Sequence, residues 1–428
     1  MKIRFFNAYV ITCNDKFEIF DGGEVWVEDD IIVYVGKPKT GFMADKTINC
    51  LGDVIMPGFV NAHAHIPMQV LRGMAEDTSF HDWWNKQIRP KESKMRPDDI
   101  YWSTMLGIAE LVNGGVTSVL NNYFEQPSTI DAFHDAGIRG AIGVDVLYTQ
   151  PDETRVQNWE NRYASMYKDS PLLTYFVTSH SIFSMSERGL NDCTMLAKKY
   201  NLPQTIHLAE TLQEVGACVA QHNLTPVQYL EEIGFLDYPT TISHGVHVDK
   251  DDMEILARTK TNVALNLSSN MKLASGIPPI YTYMQRGVNL AIGTDSVASN
   301  NSLNMFREMF LVATTQKVVM ADASVLPAKD VIMMATRGGA KALFIDKKVG
   351  QLKKGYQADI IRVSSQGIHW QPNNNKVANL VYSAHADDVV MTMVAGNILF
   401  ENGNYYIGER IDKILEESDR VAKRILNC

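Results

Sequence analysis

Two histidines flank a single alanine in "PGFVNAHAH", His63 and His65, inside an apolar run with the character of a buried strand. Residues i and i+2 of a strand project to one face, so both imidazoles can reach one point and form a two-nitrogen chelate. Downstream, "PQTIHLAE" holds His207 and ends on Glu210, "TTISHGVHV" carries His244, and "NLAIGTDS" carries Asp295 near its end. A divalent ion such as zinc takes about four ligands in roughly tetrahedral geometry, and a catalytic site keeps one position open for water. His63, His65, His207 and Asp295 can supply three imidazoles and one carboxylate. Water at the open position then loses a proton near neutral pH without a strong external base. Glu210 adds an acid within reach of a substrate nitrogen. A buried carboxyl beside an apolar pocket has its pKa raised enough to carry a proton, while a metal keeps Asp295 ionised.

These residues need a scaffold that brings distant segments together at one end. After Pro57 the chain alternates short apolar strands with segments of helical periodicity. Eight strands are predicted: 58–65, 116–123, 140–148, 174–181 ("TYFVTSHS"), 203–210, 240–248, 262–270 ("NVALNLSSN") and 289–296. Eight is the number that closes a (β/α)8 barrel of the TIM type, in which catalytic groups sit at the C-terminal ends of the strands. His63 and His65, His180, His207 and Glu210, His244 and Asp295 all fall at such ends. One inward histidine is more often a satisfied core residue, but agreement among several strand ends favours a metal. His81, His134, His222, His369 and His385 lack this placement and are assigned to surface or packing. His247, three residues from His244, is expected to face the other side.

Residues 1–55 read as short β segments, and β-rich sequence returns after about residue 345, followed by a charged helix from Ile411 to Leu426. The expected organisation is a composite β-sandwich from residues 1–55 plus 346–428, packed on a catalytic barrel spanning 56–345. The net charge of -9 with no Lys/Arg-rich block argues against a nucleic-acid polymer as partner. No apolar run approaches the ~20 residues that span a bilayer. The five cysteines form no Cys-x-x-Cys pair and read as free thiols of a reducing compartment, so a cytoplasmic protein is expected. The partner implied is a small molecule, with homo-oligomerisation left open.

The stretches "PGFVNAHAH", "HLAE", "SHGVHV" and "GTDSVASNNSLNMFREM" resemble the amidohydrolase superfamily, and within it the chlorohydrolase-like aminohydrolases, closest to the 5-methylthioadenosine/S-adenosylhomocysteine deaminases. The resemblance runs over nearly the whole chain. It implies one divalent metal on His63, His65, His207 and Asp295, zinc foremost, with iron, nickel and manganese also compatible with these ligand types. It casts Glu210 as the proton shuttle to the ring nitrogen, His244 as a contact of the attacking water, and Asp295 as acceptor of that water's proton. Binuclear relatives use a lysine on the fourth strand, where "TYFVTSHS" has His180 instead, which favours one metal. Glu92 in "RPKESKM" resembles the glutamate that binds ribose hydroxyls, and His180 the histidine beside the purine; Trp83 and Trp84 can wall the pocket or simply pack. Some members carry an arginine near the end of the third strand for a homocysteine carboxylate, where this chain has Asp145. The implied reaction is hydrolytic deamination of an adenine nucleoside: 5-methylthioadenosine, S-adenosylhomocysteine or adenosine. The alternatives are the same chemistry on guanine, a pterin, cytosine or a triazine, including dechlorination, or a catalytically silent scaffold.

Overall fold

The computed structural model describes residues 1–79, 82–166 and 169–426. His81 and Cys428, assigned above to surface or packing and to a free thiol, lie outside them. Five strands open the chain: β1 (Lys2–Ile11), β2 (Ile19–Glu28), β3 (Ile31–Gly36), β4 (Lys46–Asn49) and β5 (Val54–Pro57). The barrel follows with β6 (Phe59–Ala64), β7 (Val116–Tyr123), β8 (Arg139–Asp145), β9 (Leu173–Ser181), β10 (Gln204–Leu208), β11 (Thr240–His244), β12 (Asn262–Leu265) and β13 (Leu290–Ile292). The chain closes with β14 (Ile360–Val363), β15 (Val389–Val394), β16 (Asn397–Glu401), β17 (Asn404–Tyr405) and the helix Ile411–Leu426.

β6 to β13 pair in chain order as parallel neighbours. The ring closes where Ala64 bridges Asp295 and the backbone N–H groups of Thr294 and Asp295 donate to the His63 carbonyl at 3.1 and 2.9 Å. The lower lumen is filled by Val60, Ala62, Leu120, Ala141, Phe176, Ala264 and Ala291, and plugged by a short segment around Ala340 to Ile345. Outward-facing residues of the same strands join the cluster under the helices.

The second sheet has nine strands in the order β17-β16-β15-β14-β5-β1-β2-β3, with β4 on β1. Its two halves come from opposite ends of the chain and meet where β14 runs antiparallel to β5, Ile360 opposite Pro57 and Val363 opposite Val54. Ile3, Phe5, Val25, Val27, Ile55, Met391 and Met393 fill the core on one side of it. Cys13, Cys50, Cys193 and Cys218 are free and buried.

Five strand predictions ran two or more residues too long: β8 stops at Asp145 and β10 at Leu208, and three others overran by four or five residues. β12 stops at Leu265, and the rest of "NVALNLSSN" becomes the helix Leu267–Lys272. β11 stops at His244 and β13 at Ile292. Ala209, His244 and Asp295, just after or at the ends of β10, β11 and β13, have φ of 52°, 76° and 58°. A left-handed residue turns the chain sharply out of the sheet, which extended-strand patterning does not anticipate. No helix among the described residues is long and apolar enough to cross a membrane.

Candidate active site

The histidine pair reaches the lumen through an irregularity in β6. Val60 and Ala62 already occupy the lumen, so strict alternation would send His63 outward. Between Asn61 opposite Val119 and Ala64 opposite Asn121 the register shifts, three steps on β6 matching two on β7. This extra residue, a β-bulge, re-aims the strand end: Ala64 joins the outer core, and His63 and His65 turn inward. Gly293 on the neighbouring strand end makes room, since a Cβ there would lie 2.9 Å from the Cβ of His63.

Five ligand-type side chains converge. His63 Nε2 and His65 Nε2 lie 3.5 and 3.3 Å from Asp295 Oδ1, and His207 Nε2 lies 3.3 Å from His65 Nε2. Four ligands at about 2 Å from one ion keep about this separation from each other. His63, His65 and Asp295 bring their ligand atoms within 4.8 Å of one another, and so do His63, His207 and His244.

Hydrogen bonds fix which nitrogens face the centre. His65 Nδ1 lies 2.7 Å from the Asn122 carbonyl and His207 Nδ1 2.6 Å from the His180 carbonyl. A carbonyl only accepts, so each Nδ1 carries a proton and each ring, when neutral, presents the Nε2 lone pair inward. Two lone pairs facing each other at 3.3 Å repel unless a cation lies between them. His63 Nε2 is fully buried with no hydrogen-bond partner, a group that a bound ion would satisfy. The donor set therefore fits a divalent metal ion.

Electrostatics set the charge states of these ligands, and His65 differs from the other imidazoles: burial opposes its charge, but the Asp295 carboxylate prevails and raises it above its ordinary value. Burial pushes His63 and His244 down to about 4 and His207 well below its ordinary value, so all three stay neutral. Burial opposes ionisation of Asp295, but His63 and His65 overcome it and hold the carboxyl well below its usual range. Its Oδ2 accepts from Ser269 Oγ at 2.5 Å and Ser299 Oγ at 3.1 Å.

Glu210 behaves differently. Burial, reinforced by the Asp295 charge, pushes it up to about 8, so it carries a proton at neutral pH. Its Oε1 accepts from Ser275 Oγ at 3.2 Å, and its Oε2 lies 3.8 Å from His244 Nε2. Glu214 holds the turn beneath it, accepting from the backbone N–H groups of Ala209 and Glu210 at 3.0 and 2.9 Å. His244 Nδ1 is contacted by the Asn270 amide at 2.9 Å.

The two residues read as substrate contacts stand beside this centre. Glu92 is only 9% exposed, and Tyr123 at the end of β7 is bonded to it. His180 stacks near Trp84, centroids 6.1 Å apart, with Tyr148 and Phe183 at 5.9 and 5.8 Å. Trp83 instead packs in the core and donates to the Ala298 carbonyl at 3.2 Å. Asp145 ends β8, following the lumen residues Ala141 and Gly143 in the same alternation; burial raises it to about 6, with Arg162 acting against the rise.

His134, His222, His369 and His385 stand apart from the cluster; His222 stacks on Tyr229 and His369 bonds Asp388 at 2.8 Å. His247 departs from the expectation for it. It lies beyond the end of β11, so strand alternation does not orient it, and its Nε2 donates to the carbonyl of Ser275, whose hydroxyl holds Glu210.

Sequence reasoning missed Asn122, Ser269, Asn270, Ser275, Ser299 and Glu214. For three of them, Asn122, Ser269 and Asn270, the signal was available: "LNNY" and "NLSSN" place runs of small polar residues at the ends of otherwise apolar strands, where buried polar groups need partners.

A model of the amidohydrolase family matches residues 54–399. The chain is 32% identical over 424 residues to a 5-methylthioadenosine/S-adenosylhomocysteine deaminase of Thermoanaerobacter pseudethanolicus, covering 98% of each. It is 37% identical over 383 residues to a 5'-deoxyadenosine deaminase of Methanosphaera stadtmanae, covering 88% of this chain and 89% of that one. Among solved structures it resembles an adenosine deaminase of Xanthomonas campestris with bound zinc, at TM-score 0.94 and 29% identity, covering 100% of this chain and 99% of the other.

Proposed function

The chain belongs to the amidohydrolase family, and from that premise we propose that it hydrolytically deaminates an adenine nucleoside, replacing the C6 amino group with oxygen and releasing ammonia. A zinc ion on His63, His65, His207 and Asp295 would supply a water activated at neutral pH. The proton bookkeeping then falls to this chain's own residues. Glu210, protonated at neutral pH, donates from its carboxyl to the ring nitrogen beside C6. Asp295, held ionised, accepts the proton of the attacking water at Oδ1 and passes it to the departing amino group, which leaves as ammonia while the new hydroxyl returns a proton to Glu210. His244, fixed by Asn270, stands 3.8 Å from Glu210 and presents Nε2 to the incoming oxygen.

The observation that carries the reading is a division of places between two carboxyls at one cluster of imidazoles: Asp295 Oδ1 lies 3.5 and 3.3 Å from His63 and His65, whereas Glu210 stands to one side, 3.8 Å from His244 and bonded to Ser275. Glu92 favours a nucleoside over a free base, because a buried carboxylate suits a pair of ribose hydroxyls and a bare ring offers it nothing there. Trp84 and His180 supply flat faces for the purine. Asp145 at the third strand end makes a substituent ending in a carboxylate the least favoured, so S-adenosylhomocysteine is expected to trail 5-methylthioadenosine and adenosine. Incubating the zinc-loaded protein with all three while following ammonia tests the proposal. Silence on all three overturns it, and turnover of guanine, a pterin, cytosine or a triazine in the same assay would reassign the ring.

A further inference from the structure

Glu308 is fully buried on the helix Met305–Val319, and no step above uses it. Its Oε2 accepts from the Ser268 backbone N–H at 3.1 Å and its Oε1 from the Asn300 amide at 2.9 Å. These partners belong to separate loops, the helix Leu267–Lys272 after β12 and the turn Val297–Asn300 after β13. In each loop the adjoining residue is a serine, Ser269 or Ser299, and both hydroxyls donate to the same atom, Asp295 Oδ2. Asn300 also donates to the carbonyl of Thr294 at 2.7 Å, which ties the clasp to the residue preceding Asp295. With Oδ2 engaged twice, Oδ1 is the oxygen that faces His63 and His65.

We infer that Glu308 is a positioning residue for the metal centre: by joining the two serine-bearing loops it orients Asp295 and so sets the affinity for the ion. The inference rests on the metal site proposed above. A carboxylate ligand released from such outer contacts can rotate, and loss of outer partners typically lowers metal affinity by 10- to 100-fold.

Glu308→Gln keeps the size of the side chain but turns one acceptor into an NH2 group facing a donor. In chelator competition on the folded full-length chain with zinc(II) alone, its dissociation constant is expected to rise about 10- to 100-fold. Saturating zinc should restore turnover, and KM should not move. A zinc affinity equal to that of the parent overturns the inference and leaves Glu308 a structural staple. Should the glutamine variant fail to fold, the Ser269→Ala/Ser299→Ala double variant leaves Glu308 in place and removes the relay. It is expected to weaken zinc binding in the same direction, and unchanged affinity again overturns the inference. Neither zinc titration uses a nucleoside, so an inactive nucleoside panel leaves the affinity result standing, and the reverse holds too.

Discussion

The floor and the mouth of the barrel are built from one set of strands, six of the eight supplying the apolar floor. The floor is made of Val60, Ala62, Leu120, Ala141, Phe176, Ala264 and Ala291, side chains with no polar atoms that fill space and need no partners. A few residues further along, the mouth holds buried His63, His244 and Asp295 and partly buried His207 and Glu210, whose polar atoms depend on particular neighbours. The contrast shows how the fold separates its tasks: the floor supplies cohesion that tolerates little change in volume, and the mouth spends some of it on buried charge and left-handed backbone. Substitutions at the floor should therefore be read in stability, and those at the mouth in metal content and turnover.

The sharpest break in that contrast is His63→Ala, which is expected to abolish metal occupancy, measured by elemental analysis, and turnover with it. A variant that retained both would remove His63 from the ligand set. Glu210→Gln should keep its metal and lower kcat by about 10²- to 10⁴-fold, since a general acid typically contributes that much. Loss of the ion instead would make Glu210 a ligand. At the floor, Phe176→Ala should cost about 3–5 kcal/mol of unfolding free energy in denaturant titration, with zinc affinity unchanged in the fraction that remains folded. A shift in zinc affinity there would mean that floor and mouth are mechanically coupled.

A smaller effect probes the boundary between the two regions. Burial raises Glu308 to about 7, above the ordinary value of 4.5 that it regains on unfolding. Its contribution to stability is fully present below about pH 4.5 and is lost as pH rises toward 7, because the unfolded chain ionises freely while the folded one resists. The loss is at most about 3 kcal/mol. Denaturation of the metal-free protein at pH 5 and pH 7.5 should show a larger decline for the parent than for Glu308→Gln. Equal declines would mean that Ser268 and Asn300 stabilise the carboxylate enough to cancel its burial.

The barrel was legible because its strands are short apolar runs, and alternation with helical periodicity is a strong signal. β7 was predicted at the residues it occupies, Val116–Tyr123, because apolar β-branched residues run to a clear turn. The ends were harder. "NVALNLSSN" reads as one strand, yet Asn266 leaves the extended region and the chain coils into a helix whose serine and asparagine serve Asp295 and His244. That switch is settled by tertiary hydrogen bonds, including the one from Ser268 to Glu308, forty residues away. The pairing of His63 with His65 was visible from spacing, but their inward direction depends on the bulge in β6, which is a property of two strands together. Glu308, Glu214 and Ser275 carry no local mark, since an acid in a helix and a serine in a loop are ordinary until their partners are known.

The antiparallel seam between β5 and β14 has a consequence for how the chain is made. Val54–Pro57 leaves the ribosome roughly three hundred residues before Ile360–Val363, its partner across the sheet. At about 5–20 residues per second, this edge waits tens of seconds with its hydrogen bonds unmade. Throughout that interval a stretch reading Val-Ile-Met-Pro is open to any passing strand, and only the proline blunts it. Completion of the sheet is thus a late event in biosynthesis, because every barrel strand, with the histidines it carries, has been synthesised before the two ends of the polypeptide can be stitched together.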